Sequence, residues 1–265
     1  TQSINKLVIP RRDFMKFRYH QFKYGSDNYG VLVHDTKTKE TVAVDAGNST
    51  GYLNALKEMG WSLTQIWITH HHGDHTDGLS DLKKQTGAKV FGPKSIEYVD
   101  VGLSEGDQFE FSGEHVRVLE TPGHTLDMLN FYLKSEETIF TGDTLFVMGC
   151  GRLFEGSAEQ MYNSISKLLE LPRETIVYCS HEYTLANAKF ALSVDPENIE
   201  LINRYKSVEV TLKNGLPTVP TTIKRELQTN PFCRFGDIAI RRKLGMIESN
   251  DSSVFKKLRE LKDSF

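Results

Sequence analysis

The chain has 265 residues, of which 38% are hydrophobic and 25% are charged, and its net charge is −3. It can bury the core of one large domain, and its charge argues against nucleic acid and anionic membranes as partners. The three cysteines, Cys150, Cys179 and Cys233, are far apart, so we expect a reducing compartment without disulfides. No apolar run approaches the ~20 residues that a membrane span requires.

The first third of the chain alternates strand and helix signals. Strands are predicted at 29–33, 41–45, 65–69 and 89–91, and helices at 51–59 and 81–86. Asp45 ends the second of these strands and could be a metal ligand. The favoured interpretation is a buried carboxylate that accepts hydrogen bonds from loop amides.

A loop rich in metal-capable side chains follows the strand at 65–69. Its sequence is Thr69-His70-His71-His72-Gly73-Asp74-His75. Residues two apart in an extended segment point to the same side, so we expect His70, His72 and Asp74 to converge. A turn after Asp74 would bring His75 to them, whereas the parity directs His71 away as a spacer or supporting group. A histidine-rich surface loop without a metal is the alternative interpretation.

Three later segments repeat this arrangement, in which an apolar strand ends in a metal-capable residue within a turn. The strand at 116–119 leads to His124, the strand at 138–141 leads to Asp143, and the strand at 175–179 leads to His181. Loops fixed by rigid strands at one edge of a sheet can form a site in advance of binding. We therefore expect these residues to lie beside the first loop.

The candidate ligands divide into two sets and a bridge. The sets are His70, His72 and His124 for one divalent ion, Asp74, His75 and His181 for a second, and Asp143 as the bridge. Two ions ~3.5–4 Å apart activate water and polarise a substrate together. Asp74 and Asp143 would then be the catalytic carboxylates. Zinc is the expected metal, and iron and manganese are alternatives, because imidazole and carboxylate suit all three.

These residues resemble the metallo-β-lactamase superfamily, whose hallmark is His-x-His-x-Asp-His, and within it the glyoxalase II (hydroxyacylglutathione hydrolase) family. The resemblance covers nearly the whole chain, with further motifs at 121–125, 140–146, 149–156, 181–184, 230–232 and 258–263. The chain departs from the family at Phe154, where tyrosine is frequent, at Gly73, where a bulky aromatic is frequent, and at Asp127-Met128, where Gly-His is common.

The resemblance implies an α/β fold with two parts. An αββα metallo-β-lactamase sandwich, the catalytic domain, would occupy residues 1–183, and a small all-helical substrate-binding domain would occupy residues 184–265. The residues agree, because the strand pattern stops after His181 and helices are predicted at 185–192, at 197–212 and at the end of the chain.

The resemblance also implies the substrate. Arg259 and Lys262 would bind the glycine carboxylate of glutathione, although from sequence alone they are more simply two solvated charges on a terminal helix. The remaining substrate-binding residues would be Arg152, Phe154, His181 and Tyr183. The implied reaction is hydrolysis of glutathione thioesters, in which S-D-lactoylglutathione gives D-lactate and glutathione during methylglyoxal detoxification.

Other classes and settings stay open at this point. A persulfide dioxygenase shares the implied fold but uses one iron, and the second ligand set argues against it. An RNA-processing nuclease would need a basic exosite insertion, and a metal-free scaffold would not need every ligand. We expect a monomer without nucleic-acid or membrane partners, in the cytoplasm or alternatively in the mitochondrial matrix, and a targeting segment could precede Thr1.

Overall fold

The structure is a computed structural model that describes residues 16–265. The first sheet has six strands in the order β1 to β6. They are β1 (Phe17–Tyr24), β2 (Asn28–Asp35), β3 (Thr41–Val44), β4 (Gln65–Trp67), β5 (Lys89–Pro93) and β6 (Val101–Leu103). The first three pair antiparallel, and β3 to β6 pair in parallel. Residues 1–15 of the predicted first domain lie outside the described residues.

The second sheet has six strands in the order β14-β13-β10-β9-β8-β7. The strands that follow β6 along the chain are β7 (Gln108–Phe111), β8 (Glu114–Glu120), β9 (Leu129–Leu133), β10 (Thr138–Gly142), β11 (Leu145–Phe146), β12 (Gly149–Cys150), β13 (Ile176–Cys179) and β14 (Thr221–Thr222). Strands β11 and β12 form a separate hairpin. Strand structure therefore does not stop at His181 as expected, because β14 pairs with the edge of β13.

Helices lie before, between and after the strands of the second sheet. They are α1 (Ser49–Met59), α2 (Gly73–Thr76), α3 (Leu79–Thr86), α4 (Ala158–Leu169), α5 (Thr184–Val194), α6 (Ile199–Lys213), α7 (Ile223–Thr229), α8 (Ile238–Leu244) and α9 (Asp251–Asp263). Side-chain caps fix several starts, such as Asn48 at α1 and Asn250 at α9. Among the described residues, no helix is both long and apolar enough to cross a membrane.

The two sheets pack face to face around an aromatic core. The ring of Trp67 on β4 lies 5.5 Å from Phe131 and 6.0 Å from Phe140 of the second sheet. On the outer face of the first sheet, α1 and α3 bury Leu56 and Leu82. On the outer face of the second sheet, buried side chains of α4 and α9 form another cluster. The expected αββα sandwich is therefore confirmed, with helices on both outer faces.

The packing of α9 matters for the site. Its apolar stripe includes Val254 and Leu258, which are fully buried, and it packs in the same cluster as Ile165 of α4. This contact brings the last turn of α9 beside Cys150 of β12, where Arg259 donates to the carbonyl oxygen of Cys150 at 2.8 Å. The end of the chain thus lies next to the loops that carry the candidate ligands.

Candidate metal centre

The loop after β4 changes its backbone conformation at Gly73. Before that residue it is irregular, and the rings of His70 and His72 come within 4.8 Å of each other. The single turn α2 then places Asp74 and His75 on consecutive helical positions. His70 and His72 therefore point to the same side, as expected for residues two apart in an extended segment. From Asp74 onward, helical geometry sets the direction of the side chains.

The loop after β3 supports α2 through a close backbone contact. The amide of Ala46 donates to the carbonyl oxygen of His75 at 2.9 Å. A Cβ atom on Gly47 would lie 1.7 Å from the carbonyl oxygen of Asp74, so only glycine allows this approach. The hydroxyl of Tyr24 donates to the same carbonyl oxygen at 2.9 Å. The position of α2 is thereby fixed by β1 and β3.

The candidate ligands converge. In each of two groups the ligand atoms lie within 4.8 Å of one another, and the same holds for His70, His75 and Asp143 across the two groups. One group is His70, His72 and His124, and the other is Asp74, His75 and His181. These are the two sets expected from the sequence. All of their histidines except the half-buried His72 are buried, so the site is held within the protein rather than on a mobile surface.

Asp143, which follows β10, lies between the two groups. Its Oδ2 atom is 3.3 Å from Nε2 of His124 and 3.3 Å from Nε2 of His181. Its Oδ1 atom is 3.5 Å from Nε2 of His75. One carboxylate thus faces histidines of both groups, which is the geometry that a bridging ligand requires.

Several buried ligand atoms of this centre lack a hydrogen-bond partner. They are His70 Nε2, His75 Nε2 and Asp143 Oδ1. An unpaired buried polar group costs about 1–3 kcal/mol, so such a cluster needs another binding partner to be tolerated. Imidazole nitrogens and carboxylate oxygens are the donors that zinc, iron and manganese accept, so the residues fit divalent metal ions.

Two of the three histidines of the first group are oriented by neutral partners. Nδ1 of His70 lies 2.9 Å from the hydroxyl oxygen of Thr69, and Nδ1 of His124 lies 2.8 Å from the carbonyl oxygen of Arg152. The Thr69 hydroxyl itself donates to Asp45, so His70 donates to Thr69. In each contact Nδ1 is the nitrogen that is held, so Nε2 faces the centre, where that of His124 lies 3.1 Å from Nδ1 of His72.

The buried histidines of the second group are oriented by carboxylates. Nδ1 of His75 donates to Asp45 at 2.8 Å, and Nδ1 of His181 lies 2.8 Å from Asp27. Asp45 also accepts the amide of Thr69 at 2.8 Å, as expected for a buried carboxylate that binds loop amides. Asp45 therefore supports one histidine of each group, whereas Asp27 supports the second group alone.

Two residues where the β1–β2 turn enters β2 are not singled out by sequence patterns. Besides Asp27, Asn28 donates its side-chain amide to Oδ2 of Asp74 at 2.9 Å. The backbone pairs there too, because Asn28 forms a bridge with His181. An Asp-Asn pair is common in any hairpin turn, so the sequence holds no signal that separates this turn from others.

The electrostatics follow from this crowding of charges. Burial alone would raise the pKa of Asp143, but His75 and His181 hold it well below its usual range. Burial alone would lower the pKa of His181, but the surrounding carboxylates, Asp143 first, raise it to about 10. For His70, burial and the neighbouring His75 lower the pKa instead. Asp143 is therefore anionic near neutral pH, as metal binding requires.

His71 lies at the rim of the centre, as the parity predicted. Its Nδ1 atom is 3.0 Å from Asp127 and its Nε2 atom is 3.1 Å from Glu155. Both ring nitrogens are thus occupied by carboxylates of two other loops, and the side chain is 44% exposed. The departure from the family at Asp127 accordingly contributes to the rim and not to the buried ligands.

A cavity of about 390 Å³ opens beside the centre. Its walls include His124 and Asp143 and the expected substrate-binding residues Arg152, Phe154, Tyr183, Arg259 and Lys262. His181, expected among the substrate-binding residues, does not line it. The ring of His181 is buried and stacked at 4.7 Å against Tyr183, which separates it from the cavity.

Arg259 is not the solvated charge that sequence alone favoured. It is 5% exposed, and its Nη2 atom lies 2.8 Å from Asp263. Lys262 is only partly exposed, and burial together with the neighbouring Arg259 lowers its pKa. The solvated interpretation is therefore wrong for Arg259, because the packing of α9 on the sandwich buries that side chain.

Two different family models match two successive parts of the chain. Residues 25–181 match the model of the metallo-β-lactamase superfamily, and residues 182–265 match the model described as hydroxyacylglutathione hydrolase C-terminus. The two matches meet close to residue 183, although the predicted division into domains 1–183 and 184–265 stays a prediction.

Two similar proteins that the chain covers almost completely carry the same name. The hydroxyacylglutathione hydrolase of Rhizobium meliloti is 47% identical over 91% of this chain and 95% of its own. That of Bartonella tribocorum is 46% identical over 92% of this chain and 98% of its own. Among solved structures, ETHE1 from Myxococcus xanthus aligns with a TM-score of 0.64 and 27% identity, covering 91% of this chain and 95% of that one.

Proposed function

Because the chain belongs to the hydroxyacylglutathione hydrolase family of the metallo-β-lactamase superfamily, we propose that it hydrolyses S-D-lactoylglutathione to D-lactate and glutathione with two divalent ions. It is a thioester hydrolase, as its relatives are. The alternative of a persulfide dioxygenase has less support, because two relatives that are 47% and 46% identical over 91% and 92% of the chain are named hydroxyacylglutathione hydrolases.

One observation carries this proposal. A single cavity is lined by His124 of the first ligand group, by Asp143, and by the cationic side chains of Arg152, Arg259 and Lys262. A substrate that fits must therefore bring a hydrolysable bond and, at a distance, a negative charge. Glutathione thioesters have both, because the acyl-sulfur bond is separated from the glycine carboxylate by the peptide.

The ion-binding roles follow from the two groups. We assign His70, His72 and His124 to one ion, Asp74, His75 and His181 to the other, and Asp143 to both. Such a pair of ions, when bound, supplies an activated water and stabilises the charge that develops on the thioester oxygen. We expect zinc, with iron or manganese as alternatives, since the ligand set is compatible with each.

The protein's own residues bind and orient the substrate. Arg152 and Lys262 attract the glycine carboxylate into the groove, with Arg259 behind them. The ring of Phe154 lies 5.2 Å from that of His124 and forms an apolar wall near the ligands. Water adds to the carbonyl carbon, the carbon–sulfur bond breaks, and the thiolate of glutathione takes up a proton as it leaves.

The setting of the enzyme also belongs to this proposal. We assign residues 184–265 to substrate binding, because α9 supplies two of the cations in the groove. The three cysteines are free and buried, which fits a reducing compartment such as the cytoplasm, with the mitochondrial matrix as the alternative. We expect the enzyme to act as a monomer, since the groove and both ligand groups lie within one chain.

The test is hydrolysis of S-D-lactoylglutathione, followed at the thioester absorbance, with metal content measured on the same sample. We expect turnover that rises with occupancy up to two ions per chain. A lactoyl thioester of N-acetylcysteamine, which lacks the carboxylate, should have a higher KM. Oxygen consumption with glutathione persulfide and one iron per chain would instead support the dioxygenase.

A further inference from the structure

A carboxylate of the protein already pairs with two of the cationic side chains that line the groove. Asp263, in the last turn of α9, has its Oδ1 atom 2.8 Å from Nη2 and 3.1 Å from Nε of Arg259. Nε of Arg152 lies 3.7 Å from the same oxygen. Two of the three cations in the groove therefore have Asp263 as their counter-charge.

The position of Asp263 on Arg259 is the one that a substrate carboxylate would need. A guanidinium binds a carboxylate best through two parallel hydrogen bonds, and Nε with Nη2 forms such an edge. The opposite side of Arg259 is committed to the backbone, since Nη1 donates to the carbonyl oxygen of Cys150 at 2.8 Å. A ligand can gain the paired edge only by sharing or displacing Asp263.

Lys262 differs from Arg259 in this respect. It lines the same cavity, and it forms no ion pair among residues 16–265. Its ammonium group instead lies 5.8 Å from the rings of Phe190 and Phe265. An entering anion would therefore meet Lys262 without a carboxylate paired to it, and Arg259 with one.

We propose that Asp263 is a built-in competitor that lowers the affinity of the groove for the substrate carboxylate. In the free protein it neutralises Arg259, whose burial would otherwise leave a costly unpaired charge. When a glutathione thioester binds, its glycine carboxylate takes over part of this role. The identity of the anion rests on the proposed function, whereas the competition rests on the contacts of Asp263.

The competition predicts effects of opposite sign on stability and on affinity. Asp263→Asn keeps an oxygen that accepts from Arg259 but removes the charge. The melting temperature of the variant should fall, because the buried guanidinium loses its counter-charge. The affinity of the groove should rise instead. KM for S-D-lactoylglutathione and Kd for glutathione should therefore decrease, about two- to fivefold at low salt, as expected for a partly exposed charge. The effect should lie in KM rather than in kcat.

A matched control lies on the same helix. Glu260 is exposed, and its carboxylate is 3.9 Å from Lys256 on the outer surface. Glu260→Gln changes the net charge by the same amount as Asp263→Asn, so it corrects for long-range attraction of an anionic substrate. Its KM and its Kd for glutathione should equal those of the wild type.

The experiment measures turnover, calorimetric binding of glutathione and melting temperature on the metal-loaded wild type and both variants. If wild type is active but Asp263→Asn has an unchanged or higher KM and Kd, the competition is overturned and the function stands. If wild type is inactive but binds glutathione, and Asp263→Asn binds it more tightly, the function is overturned and the competition stands. If wild type neither turns over nor binds, both are overturned.

Discussion

The metal centre and the cationic groove share one cavity but are built in different ways. In the centre, the ligand atoms of His70, His75 and Asp143 are buried and unpaired, and fixed neighbours hold their side chains. In the groove, Arg152 is exposed, and Arg259 already has an internal carboxylate. Substitution of a residue in the centre should therefore cause loss of bound metal. Substitution of a residue in the groove should cause graded changes in the affinity for the substrate.

The largest effect on the metal centre is expected for Asp143→Ala. One carboxylate faces histidines of both groups, so its removal should lower the occupancy of both ions. Turnover should fall by at least about 10²–10³-fold, the effect of losing one fixed electrostatic group in an active site. Metal analysis and kcat on the same preparation measure this. A variant with full activity and one ion per chain would contradict the two-ion assignment.

Substitutions of the carboxylates that hold the histidines should affect the binding of the two ions differently. Asp45→Asn should weaken both, because Asp45 supports His75 directly and His70 through Thr69. Asp27→Asn should weaken only the second, because it contacts His181. Each loss should be roughly 10–100-fold in metal affinity.

Stepwise titration of the metal-free protein with Co²⁺, followed by absorption, distinguishes these two variants. As a control, Asp107 is also a turn carboxylate, and it accepts the amide of Ser104 at 2.8 Å. Asp107→Asn should bind both ions as the wild type does. Equal effects of the Asp45 and Asp27 variants on both ions would show that the groups are not supported separately.

In the groove, the double variant Arg259→Ala with Lys262→Ala should raise KM for glutathione thioesters. Removal of charge-assisted contacts costs about 1.5–3 kcal/mol, or roughly ten- to a hundredfold in affinity. The effect should shrink at high salt because partly exposed charges are screened. Metal content should stay at the wild-type level, and kcat should change much less than KM.

The control for this pair is also on α9. Lys256 and Lys257 are exposed, so replacing both with alanine removes the same charge without touching the groove. Lys262→Ala alone separates binding from stability, because Arg259 is buried and its loss also destabilises the fold. A double variant with wild-type KM at low salt would remove the glutathione assignment and leave a metallohydrolase of another substrate.

The smallest effect is expected at His71. It contacts Asp127 and Glu155 at the rim, and partly exposed pairs of this kind contribute about 0–1 kcal/mol. His71→Ala should therefore keep most of its activity and both ions, whereas His70→Ala and His72→Ala should lose them. Three equally inactive variants would show that the rim is part of the centre.

Sequence patterns predicted both the candidate ligands and the main layers of the fold. Each candidate ligand follows a short apolar strand and lies in a turn. Both features are local, so the repetition of this arrangement was enough to select His70, His124, Asp143 and His181 as candidates. The same periodicity predicted most strands of the sandwich core. It did not predict β14, because a two-residue edge strand has too few residues to form a pattern.

Only the tertiary structure decided how these residues work together. The helical turn α2, and not extended parity, directs Asp74 toward His181. The contact of Asp27 with His181 joins residues 154 positions apart. The burial of Arg259 depends on α9 packing against the sandwich. Local patterns encode strands and turns, but the partner of a polar side chain is set by which distant segments the buried core brings together.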